Sequence, residues 1–485
     1  MRSVGKIRLF ALLALILGLS GVALAVAIDH LGLTPRALAP YIERRASGHN
    51  PFIVGMGDMI GRSLRSLDDR PGGNLPGVEL PVLKLGAQAQ PAGRLPARSI
   101  DVFDVEGLIA AIRKAEPGDV ITLAPGVYDV VRGRGWRIDA RRPGHVDAPI
   151  VVRAAQPGTV DLRIGLLVGI RVSAPWWRFE NLTISGACVP KEGCEHAFHV
   201  FGGALGFAAV NNTISDFNAH FKINGHRGEF PDNGLIESNT IFNTSVRKTS
   251  APVTPIDLVS ASGWTIRANV IKDFVKRGGN WVSYGAFAKG AGSGNVFERN
   301  LVWCEHKLKG QPGQRIGLSL GGGGTGPMFC RDGKCITEQQ QSVLRSNLIM
   351  GCSDVGIYIN SASGSRIEDN TLIDTSGIDV RFPTSSADVD GNLVDGMIRS
   401  RNGGILRLGD NRSTAGWQAF LGHQPVRDLF ADPGSGAFSW RGAPPRRAVV
   451  PQSRSEVLDL CTKARVGKVM AYGAFDDFQA CLAPR

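Results

Sequence analysis

The chain carries no block of consecutive basic residues, although its 485 residues sum to a formal net charge of +12. A diffuse excess is not the stripe that tracks a phosphate backbone, so nucleic acid is not read as a partner. It suits a polyanionic substrate, anionic lipid, or simply a basic proteome. Tight CxxC or HxxxH spacing is also missing. His196 and His199 stand near Cys188 and Cys194 in the chain, but not at the spacing of a zinc site. The run GGGGTG lacks the Lys and the strand-to-helix setting of a phosphate loop, which excludes nucleotide binding there. Aromatics are only 7% of residues while Gly reaches 62, as many tight turns between short strands require. One long apolar run occurs, Leu9 to Ile28.

What is present is a repeat. An Asn followed by short, mostly apolar and β-branched segments recurs at Asn181, Asn212, Asn239, Asn269, Asn300, Asn347, Asn370 and Asn392. Recurrence at such intervals marks a solenoid, and the unit here is a strand, not a helix pair. Parallel strands stacked coil on coil would bury a continuous core, with the Asn amides bridging neighbouring turns as a ladder. A second set of segments runs in step with the first: FHVFGGA (198–204), FKINGHR (221–227), IDLVSAS (256–262), FAKGAGS (287–293), LSLGGGG (318–324) and IYINSAS (357–363). Alternation sends Val200, Ile223, Leu258, Ala288, Leu320 and Ile359 inward. One outer column then holds His199, Lys222, Asp257, Phe287, Ser319 and Tyr358, and the next holds Phe201, Asn224, Val259, Lys289, Gly321 and Asn360. The interval from Asn300 to Asn347 is 47 residues, so Trp303 to Val343 is read as an insertion over the functional face.

Ahead of the repeat, Arg2, Lys6 and Arg8 precede the apolar run. That is an export signal, long enough to stay as a single-pass anchor with the remainder outside the cytoplasm. The small-x-small triplets Ala23-Leu24-Ala25 and Ala25-Val26-Ala27 keep open cleavage and secretion. The expected division is 1–28 signal anchor, 29–100 stalk and linker, 101–425 solenoid and 426–485 closing segment. Within the stalk, TPRALAPYIERR predicts a helix with Thr34 as cap and Pro35 in its first turn. Pro/Gly-rich linker follows at DDRPGGNLPGVELP and AQAQPAGRLPARS. Eight cysteines in an exported chain suggest disulfides. Close spacing favours Cys188–Cys194 and Cys330–Cys335, with Cys304–Cys352 and Cys461–Cys481 completing the set.

The segment DVEGLIAAIRKAEPGD reads as a capping helix from Asp104, with Leu108, Ile109, Ile112 and Ala115 apolar, and VITLAPGVYD follows as strand, turn, strand. Together with APIVVRAAQPGTVDL (148–162) this resembles the opening of right-handed parallel β-helix proteins of the pectate-lyase-like superfamily. DLFADPGSGAFSWRGAPP and LDLCTKARVGKVMAYGAF resemble the closing segment of the same proteins. The resemblance covers roughly residues 101–475 and implies an all-β right-handed parallel β-helix with an N-terminal capping helix. A more distant likeness is to polysaccharide lyase family 6, the alginate lyases and chondroitinase B. It implies an acidic polysaccharide as partner and cleavage by β-elimination. There a base removes the proton α to a uronate carboxylate while a cation, often calcium, neutralises that carboxylate.

The segment YGAFAKGAGSGNVFERN places Lys289 where the Lys base of that family falls. The chain departs from the pattern in having no Asp or Glu in NWVSYGAFA (280–288), so the family's acidic calcium ligands are missing, and no Arg stands in LSLGGGG; Arg315 lies earlier on that strand. The residues read as carrying chemistry are Lys289, Lys222, Arg315, His199 and His220. Asn218, Asn224, Asp257, Tyr358 and Asn360 are read as holding substrate. NGHRG (224–228) only faintly echoes the polygalacturonase GHG motif, and the DPHE motif of mannuronan epimerases is missing. A binding protein or cell-envelope scaffold without turnover is the second reading, and the missing calcium acids favour it.

Overall fold

The computed structural model describes residues 2–68, 81–89, 98–131, 133, 135–449 and 457–482. Most of the expected linker, including residues 69–80 and 90–97, lies outside that set.

The Asn repeat winds into a parallel β-helix. Three long sheets of twelve, ten and eleven strands run its length, and successive coils add one strand to each. The register is regular: Ile214, Ile241, Ile271, Val302, Ile349, Leu372 and Val394 follow one another in the eleven-stranded sheet. Their interior stack is fully buried. The inward row of the ten-stranded sheet is the expected one. Val200, Ile223, Leu258, Ala288, Leu320 and Ile359 align and are all 0% exposed.

The Asn ladder forms, displaced at its start. Each Asn from Asn212 onward donates through Nδ2 to the Oδ1 of the next, which also accepts that residue's own backbone N–H, through Asn239, Asn269, Asn300, Asn347, Asn370 and Asn392. The ladder runs one rung past the expected end, to Asn411. Asn181 is not a rung. Leu182 N–H meets Asn212 Oδ1, and Asn181 pairs instead with Asn211. The residue before each rung turns left-handed, at Asn211, Ser238, Ala268, Arg299, Ser346, Asp369 and Gly391, so the ladder marks one repeated corner.

A helix, α4 by chain order (Val105–Lys114), plugs the first coil. Asp104 caps it, accepting from Gly107 N–H at 2.7 Å, and Leu108, Ile112 and Ala115 are buried on the core. Upstream lie α1 (Arg2–Leu31), α2 (Pro35–Ala46) and α3 (Pro51–Asp68). Thr34 caps α2 as expected. Much of the stretch read as a stalk touches the solenoid in its described parts, whereas α3 packs on α2. Arg36 of α2 reaches the Cys352 carbonyl, Arg44 donates to Gln314, and Leu83 and Leu85 are buried on the outer face of the eleven-stranded sheet. The apolar run forms helix, but the side chains of residues 2–14, 16 and 17 lie outside the described set. Among the described residues no single helix is long and apolar enough to cross a membrane, so the expected transmembrane helix is not supported. Gly18–Leu31 and Pro35–Ala46, bent by 71° at their junction, satisfy that test only as a pair.

The closing segment lies along the side of the solenoid more than against its last coil. Two antiparallel pairs, Phe430–Asp432 with Ala437–Trp440 and Arg446–Ala448 with Val469–Ala471, bring in Phe430, Phe438, Tyr472, Phe475 and Phe478. These cover Trp303, Leu348, Met350, Ile373 and Leu393, outward residues of the eleven-stranded sheet. The short helix α5 (Gly416–Phe420) sits beside the last coil and meets the end of α1. All four expected disulfides are present: Cys188–Cys194, Cys304–Cys352, Cys330–Cys335 and Cys461–Cys481.

Candidate functional site

The outward face of the ten-stranded sheet carries the polar rows. Strand His196–Phe201 pairs with Ala219–Asn224, then Ile256–Val259, then Val282–Lys289. His199, Lys222, Asp257, Phe287, Ser319 and Tyr358 stand in one row, one strand apart at about 4.8 Å. Asn224, Val259 and Lys289 stand in the next.

Within the first row Lys222 Nζ binds Asp257 Oδ2 at 2.9 Å, and the Asp257 carboxylate is almost wholly buried. His199 Nε2 meets Asn224 Oδ1 at 2.9 Å, which ties the two rows together. Burial lowers the His199 pKa, and the nearby Lys222 cation adds to this. His199 is therefore a neutral imidazole at physiological pH.

Lys289 is set apart from the other cations. No carboxylate lies within ion-pair distance of it among the described residues, and its ammonium sits over the Phe287 ring, 4.6 Å from the centroid. Burial lowers its pKa; Lys222 pushes the same way, while Asp257 and Glu338 oppose. The loop after strand Gln314–Leu320 closes over it. A Cβ at Gly322 would stand 2.9 Å from Lys289 Cδ, so a larger residue there would push the Lys289 side chain aside. The loop is pinned on the far side. Arg331 makes a two-pronged ion pair with Asp232 at 2.8 and 2.9 Å and stacks on Phe230, while Ser260 bonds the Phe329 carbonyl. Only the part of the expected insertion after Leu320 covers this face; Gln314–Leu320 within it is a regular strand of the ten-stranded sheet.

Three expected residues do not reach this face, and the reasons differ. His220 is 0% exposed and donates from Nε2 to the Phe242 carbonyl; burial drives its pKa down to about 3. Arg315 is 1% exposed and holds the excursion 304–313, binding Glu305 at 2.6 Å and the carbonyls of Pro312 and Gln311. Asn218 is buried between Arg247 and the Glu192 carbonyl. Tyr358 and Asn360 do align with the rows. The Tyr358 hydroxyl accepts from Arg381, and burial raises its pKa. Asn360 is 6% exposed and its Oδ1 has no hydrogen-bond partner.

The rows also hold residues the sequence reading missed. Arg171 precedes His199 in the first row, and Arg381 and Arg401 follow Asn360 in the second. Extending the aligned columns by one coil each way, to VGIRV and GIDVR, would have found the first two. Beside His199 a recess of about 440 Å³ opens between Trp136, Arg137, Asp139 and Arg171. No three His, Cys, Asp or Glu converge as a metal set among the described residues. The acids of the first row are engaged by cations: Asp257 by Lys222, Asp379, which follows Tyr358, by Arg401, and Asp139, which precedes Arg171, by Arg141. The donor set does not fit calcium.

No family model and no curated protein matches the chain. Among solved structures, a pectate lyase is 15% identical over 76% of this chain and 90% of its own, with a TM-score of 0.45. A rhamnogalacturonan lyase is 11% identical over 65% and 87%, TM-score 0.43, and an alginate lyase from a Paenibacillus species 14% over 65% and 99%, TM-score 0.34. No residue role is carried over from them.

Proposed function

We propose that the chain is a carbohydrate-active enzyme that cleaves an acidic polysaccharide by β-elimination. The observation that carries this reading is Lys289: a half-buried amine without a carboxylate partner among the described residues, seated over the Phe287 ring, its pKa lowered, beside the row that holds Lys222. A lowered pKa brings the amine closer to the neutral form that a general base needs. In the proposed step Lys289 Nζ takes the proton α to the uronate carboxylate. The C–H electrons form the C4=C5 double bond, the C4–O glycosidic bond breaks, and solvent protonates the leaving oxygen. Lys222 neutralises the carboxylate in place of a divalent cation, Arg171, four strands from Lys289, meets the carboxylate of a sugar further along the chain, and the His199–Asn224 pair and Tyr358 hold sugar hydroxyls. Arg315 and His220 support the walls.

The second reading, a polysaccharide-binding scaffold of the cell envelope, is favoured by the Lys222–Asp257 ion pair, which already satisfies one cation of the row. It predicts binding without turnover and indifference to Lys289→Ala. Residence at the inner membrane, with the solenoid on the periplasmic side, is part of the same proposal, as is secretion if the leader is removed. Four disulfides agree with an oxidising compartment. The test is incubation with a panel of uronate polysaccharides, with and without calcium, following the ultraviolet absorbance of unsaturated ends.

A further inference from the structure

Helix α3 is built the wrong way round for a helix packed on a protein. Phe52, Ile53, Met56, Met59, Ile60 and Leu67 fall on one arc of it, and all six are exposed, Phe52 by 75% and Met59 by 54%. The face it does pack is small. Gly57 and Gly61 sit against Ala46 and Glu43 of α2, where any Cβ would stand 2.4 Å from the neighbouring side chain. Arg65 ties α3 to Glu43 of α2. The two helices thus form a hairpin whose apolar surface turns outward.

Three further observations bear on what covers that surface. The first is α1, where Leu15, Leu19, Val22, Leu24 and Val26 are each at least 60% exposed, with no protein packed against them. The second is direction: the chain bends by 71° from Gly18–Leu31 into α2. If α1 enters a bilayer, the α2–α3 hairpin lies across its surface. The third is the junction. Asp29 of α1 accepts from the Trp417 N–H of α5, and Gly422 lies beside the Leu67 carbonyl of α3. Trp417 and Leu421 are exposed there, extending the apolar surface with an interfacial aromatic. Charge agrees in sign, since residues 35–68 hold five Arg (36, 44, 45, 62, 65) against three acids (43, 58, 68). Arg36 and Arg44 are held on the solenoid and Arg65 on Glu43, leaving Arg45 and Arg62 for headgroups.

We propose that the outward apolar face of α3, continued by Trp417 and Leu421, lies in the interface of an anionic lipid bilayer and fixes the solenoid's orientation on the membrane. The arrangement is that of an in-plane amphipathic helix, with its apolar side in the acyl boundary and arginines at headgroup level. It stands apart from any catalytic role of Lys289, so it survives if the lyase reading fails.

The test uses the full chain reconstituted with vesicles containing phosphatidylglycerol. An environment-sensitive fluorophore is attached to Met56→Cys, to Met59→Cys and, as control, to Val127→Cys, an exposed site on an early coil. The native cysteines are disulfide-bonded and do not compete for label. A blue shift and loss of emission to doxyl-labelled lipid at positions 56 and 59, absent at 127 and weakened when zwitterionic lipid replaces phosphatidylglycerol, are expected. Labels at 56 and 59 that stay unquenched would overturn the proposal. So would a blue shift that grows with protein concentration in detergent alone, which would assign the face to a second copy of the chain.

Discussion

Lys289 and Arg315 illustrate how little the residue type alone says about role. Both are cations read as catalytic candidates, and both are mostly enclosed. Arg315 spends its donors on Glu305 and two carbonyls, whereas Lys289 has an aromatic face and no carboxylate. Removing Arg315 strands the Glu305 charge, so Arg315→Ala is expected to cost about 3–5 kcal/mol. Its signature in thermal unfolding is a large loss of Tm, with the surviving folded fraction retaining its turnover. Lys289 must be neutral to act, so kcat/KM is expected to rise with pH through a midpoint below the ordinary Lys value. A flat profile from pH 6 to 10 would remove Lys289 from the step. The two enclosed histidines give a separate pH effect. His220 at about 3 and His196 at about 4 bind protons less readily folded than unfolded, where the ordinary value is 6.5. Their contribution is intact above pH 6.5 and is lost as pH falls toward those values. Tm is therefore expected to decline between pH 6.5 and about 5, above the ordinary carboxylate range, and less so in His220→Gln; an unchanged Tm over that window contradicts it.

At the scale of the coil, the Asn ladder sets the register on which the site depends. Asn300 Oδ1 accepts the backbone and side-chain N–H groups of Asn269, and its Nδ2 donates to Ile266 O and to Asn347. Asn300→Ala leaves those buried groups unpaired, and a cost of at least about 2 kcal/mol is expected. Denaturant unfolding measures it; a loss below 0.5 kcal/mol would mean that the strands hold register without the amides. The ladder was readable because it recurs, and so were the inward and outward rows that alternate with it. Asn181 misled because NLTI and NNTIS look alike, yet the additional Asn at 211 shifts the rung by one residue. Arg315 and His220 misled for another reason. Alternation says which way a side chain leaves a strand, and says nothing of loops from other coils that then cover it. Burial of that kind is tertiary and leaves no periodic trace.

For the molecule as a whole, the repeat, the capping helix and the cysteine pairs were legible, and the arrangement around them was less so. The closing segment lies along four coils because Trp303, Met350, Ile373 and Leu393 present an apolar outer face to it, a feature hidden inside phrases that read as interior strand. Helix α2 and the segment around Leu83 touch the solenoid because Arg36, Arg44 and Leu83 find partners there. The central claim is that the aligned outer rows form a catalytic groove with Lys289 as base. The measurement that tests it most directly is ultraviolet absorbance during incubation of the chain and its Lys289→Ala variant with uronate polysaccharides, alongside a binding assay on the same polymers. Unsaturated ends on at least one polymer without calcium, a rate at least about 100-fold lower in Lys289→Ala, and binding retained in both are expected. Binding with no absorbance change on any polymer, with or without calcium, or equal rates for the two proteins, would contradict it.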